Sequence, residues 1–196
     1  MSRIVLVRHA EPEESARGLC YGTLDVGLSD EGRAHAERLA SSLAALPYDA
    51  VYASPRRRAL ETAAPLALPA IVDDDLREID FGEFEGRRYD EIATTHADVY
   101  RQWMEAPTTV TFPGGESYED LRERALRSLT RIGQAHDCAI VVTHGGVVRA
   151  GLAEWLSMPN DAIFRLDQRY CGITIVEWLG DAPIVRLMNG ATEAVS

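Results

Sequence analysis

The sequence predicts an α/β fold whose central sheet is mostly parallel and covered by helices on both faces. Three observations carry this. Short aliphatic runs, such as Ile4-Val5-Leu6-Val7 and Ala139-Ile140-Val141-Val142, alternate with longer stretches of helical period. The runs are apolar throughout instead of alternating with polar residues, which marks strands buried on both faces. Each also ends abruptly in residues with chemistry: Arg8-His9 after the first, Ser54-Pro55-Arg56-Arg57-Arg58 after Ala50-Val51-Tyr52-Ala53, and His144-Gly145-Gly146 after Thr143. In open α/β sheets the carboxyl edge is where ligands bind, so one shared anion site is the economical explanation.

Taken in order, residues 11–28 after the first strand form a loop containing Gly18, Gly22 and Gly27. Ser29 is a plausible N-cap for a helix whose buried face is Ala36, Leu39, Ala40, Leu43 and Leu46, with Pro47 as its stop. The strand at 50–53 leads to a short helix over about 55–64, with Pro55 in its first turn. Ile71-Val72 is a brief strand candidate, and residues 76–86 are polar and turn-rich with aromatic anchors. Helical character resumes over 88–105, a loop follows through Gly115, and Ser117 with Asp120 forms a capping box for a long helix. After the strand at 138–143 a helix extends to about Leu156, and the tail from Gly172 to Leu187 reads as a hairpin turning at Gly180-Asp181.

The chain has 196 residues and no repeat, low-complexity tract or linker, which suits one domain over 1–196. A formal net charge of −11 argues against nucleic-acid partners and against an anionic membrane surface. One basic pocket in such an acidic protein fits a small anionic substrate. Cys20, Cys138 and Cys171 are odd in number and lack any CxxC pair, so neither a disulfide framework nor a zinc ribbon is expected. With no signal-peptide pattern and no apolar run of membrane-spanning length, a cytoplasmic location is expected.

A neutral imidazole at His9 could attack phosphorus once an acceptor fixes the proton on its other nitrogen. The Arg8 guanidinium would grip the phosphate in a fork. His144 opens a glycine-rich helix start, where exposed backbone N–H groups favour an anion. A zinc site from His9, His144 and a carboxylate competes with this, but it lacks tight ligand spacing and sits among arginines that repel a dication. Consecutive Arg56, Arg57 and Arg58 fan through about 200° of a helix, so one or two at most face a site. Glu78 reads either as a loop acid paired with Arg77, or as a buried carboxylic acid placed to protonate a leaving oxygen. Spacing alone does not choose between these.

Six segments in order resemble the histidine phosphatase superfamily, also called phosphoglycerate mutase-like. They are Leu6-Val7-Arg8-His9 with Glu11; Leu28-Ser29 with Gly32; Ser54-Pro55 with Arg58-Ala59 and Thr62-Ala63; Leu76-Arg77-Glu78 with Phe81-Gly82 and Glu85-Gly86; Pro113-Gly114-Gly115-Glu116-Ser117; and Val142-Thr143-His144-Gly145-Gly146. The resemblance implies a three-layer α/β sandwich and a metal-independent, cofactor-free phosphomonoesterase acting through phosphohistidine. It implies His9 as nucleophile, Glu78 as proton donor and His144 as second pocket histidine. Arg8 and Arg58 would hold phosphate, with Gly145 at the helix start; Arg56 and Arg57 have no counterpart role. Two positions depart from the family pattern. Ala10 replaces the usual glycine, and is expected to fit with negative φ. Ser15 stands where many members carry a phosphate-binding asparagine, and can donate but with shorter reach.

The loop Gly18-Leu19-Cys20-Tyr21-Gly22-Thr23-Leu24-Asp25 is similar to that of the α-ribazole phosphatase branch. This implies a small metabolite with a sugar-like leaving group, such as α-ribazole 5′-phosphate, and a substrate wall built from Tyr21, Gly22 and Thr23. The short path from Glu78 to Pro113 favours hydrolysis over a mutase reaction. Keeping His9, Glu78 and His144 together favours catalysis over a non-catalytic phospho-ligand binding protein. A homodimer is compatible with the sequence.

Overall fold

One six-stranded sheet organises the computed structural model, which describes residues 2–191. The elements are β1 (Arg3–Arg8), α1 (Asp30–Leu43), β2 (Ala50–Ala53), α2 (Arg57–Ala63), β3 (Ala70–Val72), α3 (Tyr89–Thr95), α4 (Ala97–Glu105), α5 (Tyr118–Ala135), β4 (Cys138–Thr143), α6 (Gly145–Trp155), β5 (Ile173–Leu179) and β6 (Ala182–Gly190). Strand order is β3-β2-β4-β1-β5-β6. β3, β2, β4 and β1 run parallel, whereas β5 and β6 add an antiparallel edge.

Strand alternation sorts side chains to two faces. Ile4, Leu6, Tyr52, Ala139 and Val141 pack against Leu121, Ala125, Leu129 and Ile132 of α5 and Val147 and Val148 of α6. Val5, Val7, Val51, Ala53, Ile140 and Val142 face Ala36, Leu39 and Leu43 of α1 and Ala59 and Ala63 of α2. This is the expected three-layer arrangement. A separate aromatic cluster of Cys20, Phe84, Ile92, Val110 and Phe112 ties the excursion carrying α3 and α4 to the loop after β1.

The caps behave as their residues dictate. Gly32 N donates to Ser29 Oγ at the start of α1, and both halves of the Ser117–Asp120 capping box are present at α5. Several boundaries differ from expectation. α1 ends at Leu43, before Leu46, and α2 begins at Arg57, leaving Pro55 outside its first turn. The stretch 88–105 is two helices, broken at His96 (φ −133°, ψ 47°). There the Thr94 and Thr95 hydroxyls donate to the Asp90 and Glu91 carbonyls and compete with the helical bonds. β6 extends beyond 184–187 at both ends. Among the described residues no helix is long and apolar enough to cross a membrane.

Candidate active site

The ladder itself assembles the site. Arg8 pairs with Thr143 and Ala53 with Val142, so His9, His144 and Ser54 are the next residues off three neighbouring strands. The pairing runs one step further: His9 N donates to Thr143 O at 2.8 Å and Ser54 N to Val142 O at 3.0 Å. The two imidazoles meet edge to face with centroids 5.1 Å apart, and both are buried. β1 and β4 are sheet neighbours but far apart in the chain, so the pair exists only once the sheet is built.

His9 Nδ1 lies 2.8 Å from Ala10 O. A carbonyl can only accept, so in the neutral ring the proton sits on Nδ1 and the Nε2 lone pair is free. Burial, then the Arg58 and Arg8 charges, hold the His9 pKa well below the ordinary histidine value. Ala10 N donates to Thr62 Oγ1 at 2.9 Å, and that hydroxyl donates to Arg58 O at 2.7 Å. Ala10 is absent from the positive-φ residues, so its methyl fits as expected. His144 Nε2 is 2.7 Å from Ser54 Oγ, while its Nδ1 is buried without a partner. Burial and the charges of Arg58, His9, Arg8 and Arg56 lower its pKa well below the ordinary value.

Arg58 is wholly buried on α2. Its Nη1 donates to Leu24 O at 2.9 Å and its Nη2 to Gly22 O at 2.8 Å, leaving Nε buried and unpartnered. Arg8 Nη1 donates to Gln168 O, and its Nε is likewise orphaned. Arg57 turns outward to Glu61 (2.7 Å), as expected. Arg56 departs from the resemblance: its Nε is buried without a partner, and its charge acts on both Arg58 and His144. The guanidiniums are backed by tyrosines. The Arg8 Cζ stands 4.3 Å from the Tyr170 ring centre, the Arg58 Cζ 5.1 Å from that of Tyr21, and the two phenol oxygens are 3.1 Å apart.

Glu78 is anchored at the start of α6, accepting from Gly146 N (3.1 Å) and Ile79 N (3.0 Å). The pairing with Arg77 does not occur, because Arg77 bonds Asp74 and Glu116. Sequence reasoning missed what holds the Glu78 segment. Buried Arg124 donates to the carbonyls of Asp75, Arg77 and Glu78 at 2.6–3.0 Å and pairs with Glu116 at 2.7 Å. Glu85 similarly gathers the amides of Gly22, Thr23, Leu24 and Phe81. A Cβ on Gly22 would collide with the Ile79 carbonyl oxygen. At Gly145, a Cβ would sit 3.0 Å from Arg149 Nη1 and 3.8 Å from Arg8 Nε. Arg149 is thus a further site arginine that went unremarked. Ser15 is exposed on the Glu14–Ala16 turn. Among the described residues no three His, Cys, Asp or Glu side chains form a metal-holding group, so the ligand set required by the zinc reading is not assembled.

The fold and pocket define an α/β enzyme built to handle phosphate at its sheet edge. Residues 4–191 match the histidine phosphatase superfamily, branch 1. Phosphoserine phosphatase 1 of Hydrogenobacter thermophilus is 35% identical over 156 residues, covering 76% of this chain and 74% of that one. The adenosylcobalamin/alpha-ribazole phosphatase of Salmonella typhimurium is 29% identical over 174 residues, 85% and 86% of the two chains. The solved structure of Bacillus stearothermophilus YhfR superposes with a TM-score of 0.89 at 29% identity, covering 95% and 96%. The chain belongs to the histidine phosphatase superfamily, and that membership together with its phosphatase relatives makes it a hydrolase of phosphoric monoesters.

Proposed function

We propose that the protein hydrolyses small phosphorylated metabolites without a metal, through a phosphohistidine on His9. One observation carries the reading: the His9 proton is committed to the Ala10 carbonyl, which leaves the Nε2 lone pair free beside Arg8 and Arg58. Nε2 attacks phosphorus as the ester P–O bond breaks, and the departing alkoxide takes a proton from Glu78. Water then attacks the same phosphorus as the P–N bond breaks, giving a proton to the same carboxylate, releasing inorganic phosphate and returning neutral His9. Arg8, Arg58, His144 and the Gly145 end of α6 stabilise the charge on the phosphoryl oxygens. Proton donation of this kind is worth about 10²–10⁴-fold.

The 18–25 loop, with Tyr21, Gly22 and Thr23 pinned by Arg58 and Glu85, supports a sugar-like leaving group, with α-ribazole 5′-phosphate as the specific candidate. The same reading takes 1–196 as one domain acting in a reducing cytoplasm on metabolites and not on nucleic acid. Three free, buried cysteines support that setting. The deciding experiment is phosphate release from p-nitrophenyl phosphate with and without EDTA, with acid-labile phosphoenzyme trapping. Activity should survive EDTA, and both activity and phosphoenzyme should vanish in His9→Ala. Loss of turnover in EDTA, or a phosphoenzyme persisting in His9→Ala, would overturn it. Release of phosphate from α-ribazole 5′-phosphate well above that from 3-phosphoglycerate supports the specific substrate.

A further inference from the structure

The charge census singles out one cation. Among the described residues Arg8, Arg56, Arg58 and Arg149 are buried or half-buried and form no ion pair, which is otherwise true only of the exposed Arg17 and Arg169, in a chain with 31 carboxylate side chains. The first three surround the imidazoles. Arg149 is the exception: it lies one turn along α6 and lines a cleft of about 120 Å³ that opens past Glu78. Phe81, Trp103, Phe112, Leu121 and Phe164 make most of the remaining wall, so the cleft is apolar with one guanidinium in it. Arg149 Nε is fixed by the Leu166 carbonyl at 2.9 Å, and its Cζ stands 5.6 Å from the Phe164 ring centre. That bond uses one of five N–H donors and sets the plane of the fork. Burial lowers the Arg149 pKa, with Glu78 pulling the other way.

We propose that this cleft receives a leaving group and that Arg149 binds a carboxylate on it, so that beside the sugar-like esters facing the 18–25 loop the enzyme takes a second class of substrates, phosphomonoesters with a compact apolar or aromatic body bearing a carboxylate. The inference rests on the phosphatase reading, because it is Glu78 that places the departing oxygen at the mouth of the cleft. A guanidinium fork matches a carboxylate bidentately, and in apolar surroundings the pair is less screened than in water. A cleft of this size takes about one ring, as apolar cavities of similar volume do.

The test compares 4-carboxyphenyl phosphate with 4-carbamoylphenyl phosphate, which are alike in shape and close in electron demand but differ in charge. Wild type should favour the carboxylate by tenfold or more in kcat/KM. That ratio should fall to near one in Arg149→Gln and be partly kept in Arg149→Lys. Because the ratio is taken within each protein, general damage to folding or to Glu78 cancels. A wild-type ratio of one or less would overturn the proposal whether or not a variant folds. An equal loss on both esters in Arg149→Gln would make Arg149 a ligand of the transferred phosphate instead. Hydrolysis of both esters without preference, or of neither while p-nitrophenyl phosphate is still turned over, removes this inference and leaves the phosphatase reading standing; failure of wild type on all three removes both.

Discussion

Whether a carboxylate at position 78 acts as an acid depends on the group it must protonate. Nitrophenolate leaves unaided, whereas an alkoxide does not. Glu78→Gln should therefore cut kcat/KM on alkyl phosphates by about 10²-fold or more, with a much smaller deficit on p-nitrophenyl phosphate. The check is the slope of log kcat/KM against leaving-group pKa, which should steepen in the variant when phosphoenzyme formation limits the rate. Parallel slopes would take the acid role away from Glu78. The amides of Gly146 and Ile79 donate to different Glu78 oxygens, so the substitution keeps the acceptor for one of them only, and the rate on p-nitrophenyl phosphate serves as the control for the loop's place. At this scale the sequence was most legible where a side chain follows a strand directly. Arg8, His9 and His144 were readable for that reason. Ser54 was quoted in a motif, but its bond to His144 Nε2 was not foreseen, because it spans two strands that meet only in the sheet.

An element can hold a proposed acid in place without touching substrate, and α5 holds the Glu78 segment through Arg124. Its guanidinium fills the concavity of the 75–78 turn and anchors on Glu116, a residue of the loop before the helix. Arg124→Met leaves those carbonyls and Glu116 short of donors in a half-buried place, and should cost on the order of 3 kcal/mol. Urea unfolding measures that. Positioning adds a second signature: kcat/KM on alkyl phosphates should drop further than kcat/KM on p-nitrophenyl phosphate, because in the first step only the alkoxide needs a proton from Glu78. Equal losses would reduce Arg124 to a structural role. Arg124 was invisible in the sequence because its neighbours mark it as one more charge on an amphipathic helix, and its partners are supplied by turns 46–49 residues away. The helices were legible from period and caps, and α5 and α6 lie close to where they were expected. What escaped were interruptions such as His96, where side-chain hydroxyls outbid the helix locally.

For the molecule as a whole, two buried imidazoles kept neutral link folding to pH. Both have folded-state pKa values below the ordinary 6.5, whereas in the unfolded chain they titrate near that value. Above it neither state binds the protons, and stability does not depend on them. Below it the unfolded chain gains protons that the fold refuses, so stability falls as pH drops, by an amount approaching about 1.4 kcal/mol per pH unit for each ring. The loss continues until the depressed folded-state values are reached. Urea midpoints at pH 7, 6 and 5 should decline, and His144→Gln should remove about half of that decline; an unchanged slope would contradict the assignment. The spacing of these rings has another consequence, which concerns descent. They hang from adjoining strands, one step past the last ladder pair, so their separation follows the fixed distance between strands and not the fit of nearby loops. The segments proposed to face a leaving group, at 18–25 and 79–112, lie outside the strands and reach the sheet through loops. On the proposed mechanism, mutation can therefore trade one substrate for another while the His9 ring stays where it is, and lineages carrying this sheet can diverge in diet while inheriting the same reaction.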